Sequence, residues 1–357
     1  MSQEASSESQ VMPFQADVHQ RAYELFMGML VARAIQVAVE FRLPDHAVAG
    51  PISVPRLAEQ LQLDQSVLQL LLRCLSSVGI FAPLGEDTFA QTELSACFRS
   101  DLPGSWYGLA RMFGSQWSWR AWGGLPYTLK TGLPSFEHQE GKEFWNYMQH
   151  NREDFAVFQS AMTSYSEALN PAIVAAIAQT GHLNGVQRVV DIGGGEGGLL
   201  TALLRGAPQL QASLFDLPEV IAQAEGYLVH ANTRERCDLV AGNFFEHIPA
   251  GGDLYLLKHV LHDWDDHDAL RILRNVREAL VPQGKRGRLL IIEYVVPPAP
   301  QPPSPFLFVG LFMRLNTKGG YERTEAEFQK LLEQAGLRLV GIHATGTPDF
   351  LVEGCLA

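Results

Sequence analysis

Positive charge and cysteine are both scarce in this chain. Lys and Arg number 27 against 39 Asp and Glu, giving a net charge of −12 over 357 residues. Such a balance repels a phosphate backbone and argues against a nucleic-acid partner. The four cysteines, at 74, 97, 237 and 355, form no CxxC pair and have no neighbouring histidine at ligand spacing. That pattern excludes a disulfide scaffold and indicates no metal, leaving free thiols in a reducing compartment. The first residues, MSQEASSESQ, lack the basic and apolar regions of a signal peptide. The most apolar early stretch, 26–39, is broken by Arg33 and Gln36 and reads as too short to span a bilayer. A cytoplasmic protein with no membrane partner is the expectation. Charged residues make up only 18% and hydrophobic ones 46%, a globular composition, and the length favours more than one domain.

Three regions differ in texture. Residues 1–13 read as an unstructured tail. A wide apolar stripe over 18–39 predicts a helix buried on more than one side. Ser53, with Pro55 in the first turn, predicts a second helix, and Asp64 caps a third that Gly79 ends. Alternation from Ile80 to Phe89 adds a hairpin, a winged-helix-like order. With Asp64, Gln65 and Gln69 on its last helix and Arg73 as the one cation there, this module suits packing or dimerisation better than DNA. Residues 105–180 continue as aromatic-rich helices. From about residue 187, strand-like runs at 189–192, 212–215, 237–240, 253–257 and 288–294 alternate with helices such as 267–280. This alternation predicts a parallel sheet covered on both faces. The proline loop 297–305 leads into an apolar helix at 306–315, and two strand-like runs, 337–345 and 350–356, end the chain.

The run VVDIGGGEGG at 189–198 places five glycines within six positions directly after a strand. Bare backbone at a helix N-terminus is a place for a nucleoside cofactor. Gly193, Gly195 and Gly198 satisfy GxGxxG, a weak signal alone. Asp191, two residues before the first glycine, would repel a pyrophosphate and suits a cation. Asp216 lies 23 residues past Gly193, placed to accept ribose hydroxyls. AGNFF (241–245) offers packing against adenine through Phe244 and an amide from Asn243. These features favour S-adenosylmethionine over a dinucleotide. The segment LLKHVLHDWDD (256–266) then carries His259, His262 and Asp263 to a strand's carboxyl end, where a histidine of ordinary pKa near ~6.5 can take a hydroxyl proton.

In DIGGGEGG, FDLPEV, AGNFF, KHVLHDWDD, IIEYV and GGYERTEAEF, taken in that order, the chain resembles the class I S-adenosylmethionine-dependent O-methyltransferases of the plant caffeate and bacterial polyketide type. The resemblance implies an α/β class: a Rossmann-like sheet, mostly parallel with an antiparallel C-terminal strand, plus an N-terminal all-helical, winged-helix-like dimerisation domain. The expected divisions are 14–100 for dimerisation, 101–180 for a helical linker and substrate pocket, and 181–357 for cofactor binding and catalysis. By the same resemblance His262 is the general base, Glu293 and Glu322 hold its imidazole, and Asp263 follows it. Gly193 and Gly195 meet the methionine part of the cofactor, Asp216 and Leu217 its ribose side, and Lys258 the adenine or ribose. The partners implied are a hydroxylated small-molecule acceptor and a second copy of the chain.

Two departures stand out. The family has an acid where this chain has Asn243, and often an aspartate where it has Gly310. Phe158, Met162, Phe308, Met313 and Asn316 are candidates for the acceptor pocket, each equally suited to a core role. A protein of this architecture can also use the cofactor for a pericyclic or hydroxylating step, an alternative that the histidine and two glutamates argue against. A nicotinamide dehydrogenase is disfavoured by Asp191, and a metabolite-sensing DNA regulator by the charge balance.

Overall fold

The computed structural model describes residues 16–299, 304 and 306–357. The tail expected at 1–13 and most of the proline loop lie outside the described residues. The chain divides into two compact units, Met1–Ser100 and Asp101–Ala357.

The first unit opens on α1 (Ala16–Glu40), a single helix of 25 residues. Arg33 and Gln36 do not interrupt it, since a polar residue on one face of a helix breaks no backbone hydrogen bond. By length and composition, with a mean hydropathy of 1.4, α1 is long and apolar enough to cross a membrane, which corrects the shorter reading of 26–39. Then follow β1 (Ile52–Ser53), α2 (Val54–Leu61), α3 (Gln65–Ser77), β2 (Phe81–Pro83) and β3 (Thr88–Gln91). Asp64 caps α3 by accepting the Val67 amide at 2.9 Å. Ser53 makes no such bond; Pro55 occupies the first turn of α2, where a missing N–H costs nothing. The helices carry a small three-stranded sheet of order β1-β3-β2. Leu57, Leu68, Leu72, Leu75 and Phe89 form its core. Tyr23, Leu25, Phe26, Met29 and Leu30 of α1 stand exposed, Phe26 at 72%.

In the second unit, five short helices between Tyr107 and His150 precede α4 (Arg152–Gln179). Their aromatic residues gather around Trp117, which meets Phe136 and Phe144 edge-on at 6.1 and 5.6 Å. A sheet follows, with β4 (Arg188–Ile192), β5 (Gln211–Asp216), β6 (Cys237–Ala241), β7 (Leu254–Lys258), β8 (Arg288–Val296), β9 (Arg323–Thr324), β10 (Leu337–Ala344) and β11 (Asp349–Leu356). Its order is β10-β11-β8-β7-β4-β5-β6, with β9 added beside β8. The pairs among β4 to β8 are parallel, whereas β11 runs antiparallel to both β8 and β10. Helices α5 (Gly198–Gly206), α6 (Pro218–His230), α7 (Asp266–Leu280), α8 (Leu307–Asn316) and α9 (Glu325–Gln334) complete it. Ile272, Leu273 and Val276 of α7 and Phe328 of α9 cover one face. Ile173 of α4, Leu200 and Leu203 of α5, and Leu228 of α6 cover the other. Burial on both faces explains the uninterrupted apolar strands. Chain order reverses between β4 and β7, so their carboxyl ends flank the crevice where open α/β sheets take ligands.

Candidate active site

The glycine turn after β4 is shaped by backbone need. Gly193, Gly195 and Gly197 sit at φ +67°, +60° and +87°, a region that L side chains avoid. Gly194 is small for another reason: a Cβ there would lie 2.6 Å from Asp191 Oδ2. A Cβ on Gly195 would meet nothing, so that backbone faces open space. The Gly195 amide donates to Asp216 Oδ2 at 2.9 Å and the Leu217 amide to Oδ1 at 2.7 Å. Asp216 thus stitches the end of β5 to the turn and keeps lone pairs on both oxygens. Burial pushes its carboxyl pKa up, and the two amides pull it back.

Asp191 is 1% exposed, and its Oδ1 has no hydrogen-bond partner. Burial pushes its pKa up to about 7, against the pull of Lys258. Lys258, at the end of β7, donates to Ser166 Oγ on α4 at 2.8 Å. A buried carboxylate with an unmet oxygen, an open backbone and a carboxylate with spare lone pairs together fit a cationic, ribose-bearing ligand. Phe244 lies beside the Gly193 turn, 3.6 Å from where its Cβ would stand. Asn243 turns inward instead. Its Oδ1 accepts the Phe245 amide at 3.0 Å, a local Asx turn that leaves the amide nitrogen for a ligand.

His262 sits in a short helical turn between β7 and α7. Its Nδ1 lies 3.1 Å from Glu322 Oε1, and its Nε2 is 3.8 Å from Asp263 Oδ1, beyond hydrogen-bond reach. Burial lowers its pKa, but the hydrogen bond and charge of Glu322, with Asp263 and Glu293, push it up to about 10. The carboxylates thus favour the charged ring, where the sequence pointed to an imidazole of ordinary pKa. Burial raises the carboxyls around it as well, Glu293 to about 7 and Asp263 to about 6.

Glu293 corrects a second expectation. Its Oε1 accepts the main-chain amides of Leu261 and His262 at 2.7 and 3.1 Å, so it holds the backbone and not the ring. Arg323, fully buried, takes the opposite end of the same loop: it donates to the carbonyls of Leu261 and Trp264 at 2.9 and 3.0 Å and to Asp266 Oδ1. A carboxylate on the amides and a guanidinium on the carbonyls fix the loop that carries His262.

The pocket candidates separate. Phe158 and Met162 pack at the edge of the aromatic cluster. Phe308 is 65% exposed and so does not line an enclosed pocket, because the start of α8 turns it outward. Asn316 is buried; its Nδ2 donates to the Phe312 carbonyl while Oδ1 has no partner. Met313, one turn back on α8, gives its carbonyl to Thr317. Gly310 has a steric reason: a Cβ there would stand 3.0 Å from Glu322 Cγ, against the partner of His262.

His259 was in view from the sequence, but its partners were not. His259 adopts φ +54°, rare for a non-glycine residue, and stacks on His262 with ring centroids 5.4 Å apart. Its Nε2 meets Asp349 Oδ1 at 3.0 Å. Burial keeps His259 below its usual pKa; it resists ionisation of Asp349 too, but His259 and Lys258 hold that carboxyl low. Tyr165, on α4, lies 5.7 Å from His259, its hydroxyl buried without a partner. Asn170 has both side-chain polar atoms unpartnered. An acid opening an otherwise apolar strand was the one available signal for Asp349.

Residues 122–338 match the family model described as an O-methyltransferase domain, and 23–101 match an O-methyltransferase dimerisation domain. The mitomycin biosynthesis 6-O-methyltransferase of Streptomyces lavendulae is 38% identical over 95% of each chain. The solved structure of a mitomycin 7-O-methyltransferase superposes with a TM-score of 0.86 at 37% identity, covering 96% of this chain and 98% of that one. An O-methyltransferase from neocarzinostatin biosynthesis, solved with S-adenosylmethionine and 2-hydroxy-5-methyl naphthoic acid, gives a TM-score of 0.73 at 31% identity, covering 91% and 96%.

Proposed function

This chain belongs to the O-methyltransferase family, and from that premise we propose that it methylates a hydroxyl of a small aromatic or polyketide-like molecule, with His262 as proton acceptor. The family's methyl donor is S-adenosylmethionine. When bound, it supplies a methyl group on a positively charged sulfur. The observation that carries the reading is the buried His262–Glu322 pair, 3.1 Å apart, at the end of the strand beside the glycine turn.

Asp191, Gly193, Gly195, Asp216, Leu217, Phe244 and Lys258 would hold the donor. Asp191 would lose its proton as the cation arrives, since a nearby positive charge lowers a carboxyl pKa. Asn243 would contribute its amide nitrogen. His262, with a pKa pushed up to about 10, matches a phenol of pKa near ~10. In the ligand-free site the ring would hold both protons; the donor's positive charge lowers its pKa, so Nε2 would release one proton to solvent before it takes the phenol's, and the acceptor oxygen gains negative charge as the methyl group moves. Glu322 keeps a proton on Nδ1 and balances the imidazolium, the role of the orienting acid in hydrolase triads. Glu293 and Arg323 keep the loop from shifting, which matters because an in-line displacement depends on aim. Phe158, Met162 and Met313 would flank the acceptor, with the spare Asn316 Oδ1 receiving a second polar group.

The exposed face of α1 suits a second copy of the chain, giving a homodimer in the cytoplasm with no membrane or nucleic-acid partner. Residues 101–180 would serve as the helical linker and acceptor pocket. The pericyclic or hydroxylating alternative is not favoured.

The test is mass spectrometry of a panel of hydroxylated naphthoic acids and quinones incubated with enzyme and S-adenosylmethionine. One added methyl group per S-adenosylhomocysteine released supports the reading. Product formed without S-adenosylhomocysteine overturns it.

A further inference from the structure

A second cluster of histidines lies in the same unit, built from residues that the methyl transfer does not use. His182 follows the end of α4, His343 lies on β10 and Glu353 on β11. Gly341 pairs across from Glu353, and His343 pairs with Leu351. His343 and Glu353 therefore share one face of the hairpin. A Cβ on Gly341 would stand 3.2 Å from His343 Nε2, so glycine leaves the imidazole space to fold toward the glutamate. Arg288 Nε takes Glu353 Oε1 at 3.3 Å and leaves Oε2 to face both rings. His182 Nε2 is 3.2 Å and His343 Nε2 3.7 Å from that one oxygen.

Hydrogen counting makes the arrangement informative. Thr180 donates its single hydroxyl proton to the Ala176 carbonyl at 2.7 Å, so toward His182 Nδ1 its oxygen acts as acceptor. In the tautomer that puts the His182 proton on Nδ1, against the Thr180 oxygen, Nε2 is a bare lone pair 3.2 Å from Glu353 Oε2. His343 Nε2 is buried and has no hydrogen-bond partner. Two nitrogens and an oxygen within 4.8 Å of one another make a donor set that a cation can occupy.

We propose that His182, His343 and Glu353 form a binding site for a borderline divalent transition metal, with zinc the type ion. Two imidazoles and a carboxylate are a zinc donor set, and metal–ligand distances of about 2.0–2.2 Å place tetrahedral ligand atoms ~3.3 Å apart. His182 is already at that spacing, and a small rotation of His343, the most exposed of the three at 36%, closes the site. Thr180 on Nδ1 and Arg288 on Oε1 supply the outer contacts that orient metal ligands. Water would take the fourth position. The ion would tie the end of α4 to the C-terminal hairpin and takes no part in methyl transfer.

The test is calorimetry of the full-length protein, stripped with EDTA and desalted, titrated with zinc chloride. One zinc per chain at micromolar Kd or tighter is expected, with the melting temperature rising by about 3 °C or more at saturation. His343→Asn, His182→Asn and Glu353→Gln should each weaken binding by roughly 100-fold or more, while His262→Asn and His267→Ala keep it. Because a ligand variant can fail to fold, X-ray absorption at the zinc edge of the wild-type protein is the companion measurement, and two imidazoles per zinc are expected. Absence of wild-type binding up to millimolar zinc, unchanged affinity in His343→Asn, loss in His262→Asn, or an edge spectrum without two imidazoles would each overturn the proposal.

Discussion

The two ends of this molecule break the rule of apolar inside and charged outside in opposite directions. Helix α1 leaves Leu25, Phe26, Met29 and Leu30 in solvent. The catalytic unit encloses Asp191, Glu293, Glu322 and Arg323, none more than 7% exposed. Exposed apolar area forgoes burial, and an enclosed charge costs free energy unless it is partnered. The first unit matches a dimerisation domain, which fits a second copy on the helix, and Asp191 keeps an unpartnered oxygen that fits a cationic donor. Departures from the burial rule locate function here more sharply than any single motif.

The comparison can be broken from either side. The largest effect is expected at the base. His262→Asn should leave S-adenosylhomocysteine affinity unchanged by calorimetry and lower kcat by ~10²–10⁴-fold; unchanged turnover would remove the residue from the mechanism. Next comes α1. Phe26→Asp with Leu30→Asp should weaken self-association by about 100-fold or more, read as monomer by sedimentation, because aromatic and leucine anchors dominate such interfaces. Glu293→Ala should then cost a few kcal/mol of stability by denaturant titration, since it leaves two buried amides unpaired at about 1–3 kcal/mol each. A loss no larger than that of an exposed glutamate would deny its hold on the loop.

The smallest effect is on pH dependence. Asp191 and Glu293 have pKa values raised from 3.8 and 4.5 to about 7. A raised carboxyl favours the folded state below its unfolded pKa, and that contribution is lost as pH climbs through about 7. His262 works in the same direction over a higher window: its contribution is full below 6.5 and lost through about 10. His259 and Lys258, whose pKa values burial lowers, act in the opposite sense, so the melting temperature of the ligand-free protein should fall where the raised groups dominate, from about pH 7 to 10. In His262→Asn the upper part of that fall should flatten.

Much of this was legible in the sequence, and the physical reasons are plain. The glycine turn could be read because its constraint is local: positive φ at Gly193, Gly195 and Gly197 demands a particular residue type. The strands could be read because both faces of the sheet are covered. The place of Asp216 beside the turn could be read from its spacing to Gly193. What escaped depends on distant pairs. Glu293 and Arg323 grip one loop from strands 30 residues apart in sequence, and nothing in IIEYV tells a ring contact from a main-chain one. His259 was visible beside His262, but its acid, Asp349, lies 90 residues on. Phe308 was misplaced because a helical stripe does not say how the first turn of α8 is aimed. The raised pKa of His262 is a collective property of Glu322, Asp263 and Glu293, and no single position announces it.

In the ligand-free site His262 is expected to be an imidazolium held by carboxylates. Nitrogen-15 NMR of histidine-labelled protein, assigned with His262→Asn, reads its protonation directly from pH 6 to 10. The account predicts that the ring keeps both protons past pH 8 and loses one only near 10. A ring that titrates at its ordinary value near ~6.5 would contradict it.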